Sequence, residues 1–414
     1  MNPVVNVILW CVYILSLYFA VFWLLVLVDK GITKENKKLN RFPPVTIVIP
    51  AYNEEKVIEN TIKSALTLNY PKNKTEIIAV NHGSTDKTLS IMNKYRDKIK
   101  IISIEKMPDE RKGAPMNAAL KVAKGDFFVC LDADSIPEKD ALLKILPHFS
   151  EKDIACVLPS MKVDKPKSFW QKAQWTEYLV NMFYKKLMTN LNCIHVAPGP
   201  FSVYRTDILR KVGGYNEKNL TEDLEITYKL QKNQYKIIQL LDTQVLTKSP
   251  QTFKQLYSQR NRWFKGAFLT TIQYRKMLFN RKYGDFAMIQ LPVVIISGIL
   301  AMTLLLTSMY YALQPRLDFL IKMRTINFDF WTLLKNFSLN FSIFDLNYAL
   351  IISSVFMLMF SVIIVYKSHK HSNERLLENG ILPFLFFFVY YYLIMGIAWL
   401  GVTIDLLTKR IQKW

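Results

Sequence analysis

Long apolar stretches at both ends of the chain restrict its possible folds more than any other feature. Val4–Val28 carries no charged residue over roughly 25 residues, more than the ~20 that a helix needs to cross a bilayer. Predominantly apolar stretches follow at Phe286–Leu313, Tyr348–Tyr366 and Ile381–Leu407. We therefore expect about four transmembrane helices. The first is too long for a signal peptide, has no Lys or Arg before it and no small-residue cleavage site after it, which favours an anchor.

Basic residues next to the apolar stretches indicate the orientation in the membrane. They are Lys30, Lys34, Lys37, Lys38 and Arg41 after the first stretch, and Lys367, Lys370 and Arg375 after the third. Because cytoplasmic loops are rich in Lys and Arg, we expect a multi-pass protein of the cell membrane with a cytoplasmic middle region. Four spans would leave the basic tail "TKRIQKW" outside, which the same rule disfavours. The region Gln314–Asn347 is expected to be an external interfacial stretch.

Composition bears on partners and compartment. The net charge of +21 comes from Lys and Arg residues that are scattered and dense near the predicted membrane boundaries, so we expect anionic membrane lipids and no nucleic acid as partners. The four cysteines, Cys11, Cys130, Cys156 and Cys193, are far apart and form no CxxC motif. They are expected to be buried free thiols in a reducing compartment.

Between residues 44 and 157, short β-branched runs alternate with amphipathic stretches, such as "VTIVI" with "EEKVIENTIKSAL". This alternation predicts an α/β fold with a parallel sheet and right-handed crossovers. Ligands of such sheets bind at the carboxyl ends of the strands. Polar loops occupy those positions in the sequence, and we expect them to converge on one crevice: "PAYNEE" (50–55), "NHGSTD" (81–86), "ERKGAPMN" (110–117) and "LDADS" (131–135).

The "LDADS" loop is a candidate metal site. In an extended segment, Asp132 and Asp134 point the same way. Two carboxylates suit Mg²⁺ or Mn²⁺, which complete their coordination with phosphate and water. The alternative is a loop with two solvated acids; the strand-end position and the neighbouring loops favour the metal.

Taken together, "PAYNEE", "LDADS", "TED" (221–223) and "QRNRW" (259–263) resemble the motifs of family 2 glycosyltransferases with the GT-A fold. The order of these motifs, with apolar stretches on both sides, is similar to the processive membrane synthases of hyaluronan, chitin, cellulose and poly-N-acetylglucosamine. The resemblance implies an N-terminal membrane helix (1–30), a Rossmann-like GT-A domain (38–250), interfacial helices (251–284) and a C-terminal membrane domain (285–414).

The resemblance also implies residue roles toward a nucleotide-sugar donor. Asp223 would be the base that deprotonates the acceptor hydroxyl as it attacks the anomeric carbon. One in-line displacement implies inversion of the configuration at that carbon. Glu222 would orient the loop or exchange roles with Asp223. Asp132 and Asp134 would hold the donor diphosphate through Mg²⁺ or Mn²⁺. The expected donor-binding residues are Ala51, Asn53, Glu54, His82, Lys112 and Asp132.

Acceptor and diphosphate binding are expected from "QRNRW" and from two segments before it. Arg262 suits bidentate phosphate contact, Trp263 offers a flat face for a sugar ring, and Gln259 is an amide donor. The alternative, an amphipathic interfacial helix, is compatible with this role. Gly199 and Trp175 lie in segments similar to acceptor-binding ones, although Pro198 and Pro200 are equally typical of a rigid turn. His195 is expected to be structural.

One position departs from the resembled family. An acid usually precedes the glycine of the second strand loop, and this chain has His82 there. We therefore expect His82→Asp to increase donor affinity, and a chain without activity stays open.

Three functions remain. The first is a polysaccharide synthase, with a homodimer or a helper membrane subunit because about four helices make a narrow conduit. The second is a single-addition transferase acting on a lipid-linked acceptor, and the third is a sugar or nucleotide sensor.

Overall fold

The computed structural model describes residues 3–29, 39–325, 327–328, 331 and 348–408. Some residues used in the orientation argument lie outside this described part of the chain: Lys30, Lys34, Lys37, Lys38 and residues 409–414 of the tail. Residues 326, 329–330 and 332–347 of the predicted interfacial stretch lie outside it too.

A mixed eight-stranded sheet forms the centre of the molecule, in the order β3-β2-β1-β4-β7-β6-β8-β5. The strands are β1 (Val45–Ala51), β2 (Thr75–His82), β3 (Lys100–Ile104), β4 (Phe127–Cys130), β5 (Ile136–Pro137), β6 (Ile154–Val163), β7 (Ser202–Arg205) and β8 (Lys236–Thr247). Strands β3, β2, β1 and β4 are parallel to one another, as the alternation predicts. The prediction of a parallel sheet is wrong beyond them, because β7 pairs antiparallel with both β4 and β6.

Helices pack on the sheet and continue beyond it. They are α1 (Pro3–Asp29), α2 (Ile58–Leu66), α3 (Thr88–Asn93), α4 (Gly113–Val122), α5 (Ala141–Ile145), α6 (Phe169–Thr189), α7 (Thr206–Lys211), α8 (Glu222–Lys232), α9 (Phe253–Gln273), α10 (Leu291–Thr325), α11 (Tyr348–His371), α12 (Ile381–Val389) and α13 (Tyr391–Leu407).

Strand β1 is buried at every position because both faces of the sheet are covered. Ile47 and Ile49 of β1 pack in one buried cluster with α2 and α5. Val48, between them, points to the other face and packs in a cluster with α4, α7 and α8. Strands buried on both sides have near-continuous apolar sequences, which is why "VTIVI" does not alternate.

The apolar helices match the predicted stretches, with two differences. Among the described residues, three helices are long and apolar enough to cross a membrane, within Asn6–Asp29, Phe286–Thr325 and Ile351–His371. The predicted fourth span is broken, because α12 and α13 meet at a bend of 54°. Helix α10 continues past Leu313 to Thr325 with Pro315 inside it, so the predicted interfacial stretch begins as part of this helix.

The prediction that all four cysteines are buried is wrong for Cys11, which is exposed on α1, although all four are free.

Candidate active site

Two hydrogen bonds join the loops that follow β1 and β2. The backbone N–H of Asn53 donates to Ser84 Oγ (3.1 Å), and the N–H of Thr85 donates back to Asn53 Oδ1 (2.8 Å). Asn53 has φ of 54°, a left-handed conformation that Asn tolerates better than most residues. Glu54 follows it, and its backbone N–H donates to Thr88 Oγ1 (2.7 Å). The predicted donor residues Asn53 and Glu54 are therefore held at the carboxyl edge of the sheet.

Lys112 joins the aspartate motif to the "TED" motif. Its ammonium contacts the carboxylate of Asp132 and lies 3.3 Å from Glu222 Oε1. Burial alone would lower the pKa of Lys112, but Asp132 and other nearby negative groups, Glu222 among them, hold the pKa well above its usual range. Residues that the sequence assigns to donor binding and to catalysis thus lie at one place.

Gly199 packs directly on this ion pair. A Cβ atom at Gly199 would lie 2.5 and 2.6 Å from the two carboxylate oxygens of Asp132 and would also collide with the Lys112 ammonium. The absence of a side chain is therefore required here. The sequence places Gly199 in a segment similar to acceptor-binding ones; in the structure this glycine approaches the charged groups of Lys112 and Asp132 closely.

Negative charge accumulates on the neighbouring side of the crevice. The Asp134 carboxylate accepts a hydrogen bond from Ser135 Oγ (3.1 Å), and burial followed by the charge of Asp132 raises its pKa. Burial and then the charges of Asp134 and Asp132 raise the pKa of Glu54 to about 7. The three carboxylates therefore repel one another in a partly desolvated space.

This donor set fits a divalent cation that shares its coordination with a ligand. Among the described residues, no three His, Cys, Asp or Glu side chains form a ready-made metal site. Mg²⁺ does not require one, because it is commonly bound by one or two carboxylates together with phosphate and water. Asp132 and Asp134 supply two hard oxygen groups, and a cation would relieve the repulsion that raises the pKa of Asp134 and Glu54.

Asp223 lies in the first turn of α8 with the properties of a proton acceptor. Burial and then the adjacent Glu222 raise its pKa to about 6, against the opposing charges of Lys112 and Arg262. Its Oδ1 accepts a hydrogen bond from the N–H of Leu224 (2.9 Å). A carboxyl group with a pKa near the working pH suits general base catalysis.

Helix α9 carries the "QRNRW" motif against the "TED" motif. Arg262 donates from Nη1 to the carbonyl of Leu220 (3.3 Å). A Cβ atom at Gly266 would lie 2.6 Å from Cγ2 of Thr221 and would also collide with its hydroxyl. Sequence reasoning missed Gly266, one turn after Arg262 on the same helix face. Only this spacing could have drawn attention to it.

Other predicted acceptor residues contact protein in the structure. The guanidinium of Arg260 lies 4.3 Å from the centre of the Trp263 ring, Gln259 makes a side-chain hydrogen bond with Tyr178, and Trp175 is buried with its ring edge-on to His369 (5.2 Å). Their roles toward an acceptor stay predictions. His195 is half-buried with its Nδ1 3.1 Å from the Gln290 amide, which fits a structural role.

A buried charged triad, which sequence reasoning also missed, joins α6, α9 and α13. Arg260 is 1% exposed; its Nη2 donates to Glu177 Oε2 and lies 3.3 Å from the Tyr391 hydroxyl. The Tyr391 hydroxyl also donates to Glu177. In the sequence, Arg260 occupies one of the two variable positions of the QxxRW pattern. Nothing else in the sequence pointed to this contact.

His82 faces an acid from another loop. Its Nε2 lies 3.4 Å from Glu110 Oε2; burial lowers the pKa of His82, while Glu110 acts in the opposite direction. An aspartate at position 82 would face the Glu110 carboxylate at close range. The increase in donor affinity expected from the sequence stays untested; this contact favours the opposite prediction, that His82→Asp weakens donor binding.

Comparisons with known proteins agree with this geometry. The family model described as "Glycosyl transferase family 2" matches residues 46–213. This segment of the chain is therefore similar to family 2 glycosyltransferase domains.

Among curated proteins, the chain is similar to a beta-monoglucosyldiacylglycerol synthase of Nostoc sp., with 29% identity over 58% of this chain and 53% of the relative. It is also similar to a poly-beta-1,6-N-acetyl-D-glucosamine synthase of Staphylococcus aureus, with 26% identity over 60% of this chain and 63% of the relative. The matched region spans little more than half the length of these relatives.

Among solved structures, the mannosyltransferase PcManGT from Pyrobaculum calidifontis, in complex with GDP-Man and Mn²⁺, superposes with a TM-score of 0.60 at 16% identity. It covers 99% of this chain and 98% of that one. At this identity the likeness shows the fold alone: a GT-A domain flanked by apolar helices.

Proposed function

We propose that the protein is a membrane-bound, metal-dependent, inverting glycosyltransferase that transfers a sugar from a nucleotide sugar to an acceptor hydroxyl at the membrane surface. The observation that carries this proposal is the bridge of Lys112 between Asp132 and Glu222. It brings the donor-binding and the catalytic motifs within the reach of one substrate.

The side chains divide the reaction between them. Asp223 accepts the proton of the acceptor hydroxyl as its oxygen attacks the anomeric carbon, and the bond from that carbon to the diphosphate breaks on the opposite side. One displacement of this kind inverts the configuration. Lys112 and Arg262 offer positive charge to the departing diphosphate. A bound Mg²⁺ or Mn²⁺, held by Asp132 and Asp134, would supply Lewis acidity toward the same leaving group.

The proposed acceptor is a growing polysaccharide. Support comes from the position of α9, whose "QRNRW" segment packs on the "TED" motif while Gly401 of α13 lets Tyr257 and Asn261 of α9 pack closely against that apolar helix. An acceptor chain that ends at Asp223 would thus lie next to helices suited to the membrane. Two copies, or a helper subunit, would widen the path.

A single addition to a lipid-linked acceptor is the second candidate. It is favoured by the similarity to beta-monoglucosyldiacylglycerol synthase and by the three or four described helices that could span a membrane.

One experiment separates these functions. The protein, purified in nanodiscs that contain phospholipids, diacylglycerol and polyprenyl phosphate, is incubated with labelled nucleotide sugars and Mn²⁺, and the products are sized. A long polymer supports the first proposal, and a lipid that carries one sugar supports the second. Donor binding without any product would indicate a sensor and contradict both.

A further inference from the structure

The pair formed by His82 and Glu110 occupies a particular place at the carboxyl edge of the sheet. His82 is the last residue of β2, and β2 lies between β1 and β3. The loops after β1 and β3 meet across the end of β2. In this contact the Lys106 ammonium lies 3.3 Å from the centre of the Tyr52 ring. Side chains from three consecutive loops therefore surround the end of β2.

The distance from this pair to the aspartate motif suits a nucleotide. β2 and β4 are separated by β1 alone, which places their ends roughly 10 Å apart. Ile78 and Val80 of β2 pack in the same buried cluster as Phe128 and Cys130 of β4. By strand alternation, His82 and Asp132 continue on this face. A diphosphate at Asp132 would therefore direct its ribose over the end of β1 and its base toward His82.

The two side chains of the pair differ in role: His82 orients the carboxylate, and Glu110 is the side chain that can meet a ligand. The side chain of His82 is 5% exposed, whereas that of Glu110 is 25% exposed. A carboxylate can only accept hydrogen bonds, so the Nε2 of His82 carries the hydrogen and donates it. Glu110 Oε2 also accepts from the N–H of Met107 (3.3 Å). Both donors bind the same oxygen, Oε2, and thereby orient the carboxylate. The other oxygen, Oε1, is then the one that can accept a hydrogen bond from a ligand in the crevice.

We propose that Glu110, oriented by His82, reads the base of the donor nucleotide and selects a base with a ring N–H, namely uracil or guanine. This inference rests on the proposed function. A carboxylate, which only accepts hydrogen bonds, can bind the N3–H of uracil or the N1–H of guanine. It repels cytosine and adenine, whose corresponding ring nitrogens are themselves acceptors. Glu110 is a specificity residue in this scheme, and His82 is a positioning residue.

Methylated nucleotides test this assignment in the full-length protein. Binding of UDP and of N3-methyl-UDP is measured by titration calorimetry with Mn²⁺ in the wild type, in Glu110→Ala and in Glu105→Ala. Glu105 is an exposed glutamate on the same loop and serves as the matched control. A charged hydrogen bond is worth ~1.5–3 kcal/mol, so UDP should bind to the wild type at least about tenfold more tightly than N3-methyl-UDP.

The expected result is that Glu110→Ala, which has no acceptor, removes this difference while Glu105→Ala keeps it. If the wild type prefers GDP, the pair GDP and N1-methyl-GDP should behave in the same way, which assigns guanine. A difference that survives in Glu110→Ala, or CDP bound as tightly as UDP and GDP, overturns the proposal. A wild type that binds no nucleoside diphosphate contradicts the proposed function itself, an outcome that the variants do not influence. Thermal unfolding of each variant confirms that the fold is kept.

Discussion

Two groups of buried charges in this molecule are built in opposite ways. At the crevice, Glu54, Asp134 and Asp223 face other carboxylates, and burial together with this repulsion raises their pKa values. At the junction of α6, α9 and α13, Arg260 and Glu177 neutralise each other and share the Tyr391 hydroxyl. The unbalanced group needs a ligand that brings positive charge or hydrogen-bond donors. The balanced group needs nothing from outside, and its role is to hold the helices together.

The sharpest test of the crevice removes its proton acceptor. Asp223→Asn should lower kcat by ~10²–10⁴-fold while UDP binding is kept. Asp207→Asn is the matched control, because Asp207 also lies in the first turn of a helix but is exposed. Product formation and calorimetry measure the two quantities. Equal activity of the two variants would mean that Asp223 is not the base.

The junction should respond in stability rather than in binding. Glu177→Gln leaves the Arg260 guanidinium buried without its counter-charge, which costs ~3–5 kcal/mol. Glu151→Gln breaks the exposed pair with Lys236 and should cost ~0–1 kcal/mol. Unfolding in detergent measures both. If the two variants unfold alike, the triad does not stabilise the junction.

The contact between the two regions is tested at Gly266. Gly266→Ala pushes the "TED" loop away through Thr221, and a displacement of about 1 Å can cost ~10²-fold in rate. Adding Thr221→Ala removes the atoms that the new methyl group meets and should restore part of the activity. A Gly266→Ala variant with wild-type kcat would show that α9 does not position the loop.

The pH dependence sharpens the assignment of Asp223. With its pKa raised to about 6, the activity should fall as the pH drops below that value, because the base becomes protonated. The folded state also binds the proton more tightly than the unfolded chain. The contribution of this group to stability therefore decreases as pH rises from 3.8 to about 6. A rate that stays constant from pH 8 to pH 5 would contradict this assignment.

The smallest expected effect is that of His82→Asp. A carboxylate close to Glu110 repels it, and donor affinity should fall by about tenfold or less, the size of one modest polar interaction. Calorimetry with UDP decides. A gain in affinity would instead restore the expectation drawn from the sequence alone, in which an acid at position 82 contacts the base.

Much of the fold was predictable because it follows from local patterns. The apolar stretches, the strand and helix alternation around "VTIVI" and the loops at the strand ends each depend on residues that are near one another in sequence. The antiparallel insertion of β7 was not predictable, because short apolar runs do not encode the direction in which they pair. The break between α12 and α13 was missed for a similar reason, since hydropathy does not report a bend.

The sequence by itself determined that polar loops with an aspartate pair end the parallel strands, because strand period and turn residues are local properties. Only the tertiary structure decided which charges meet: Lys112 with Glu222, His82 with Glu110 and Glu177 with Tyr391. These partners are distant in the chain, and their contact depends on how helices pack on the sheet. That packing is set by the summed burial of many side chains, so no single motif reveals it.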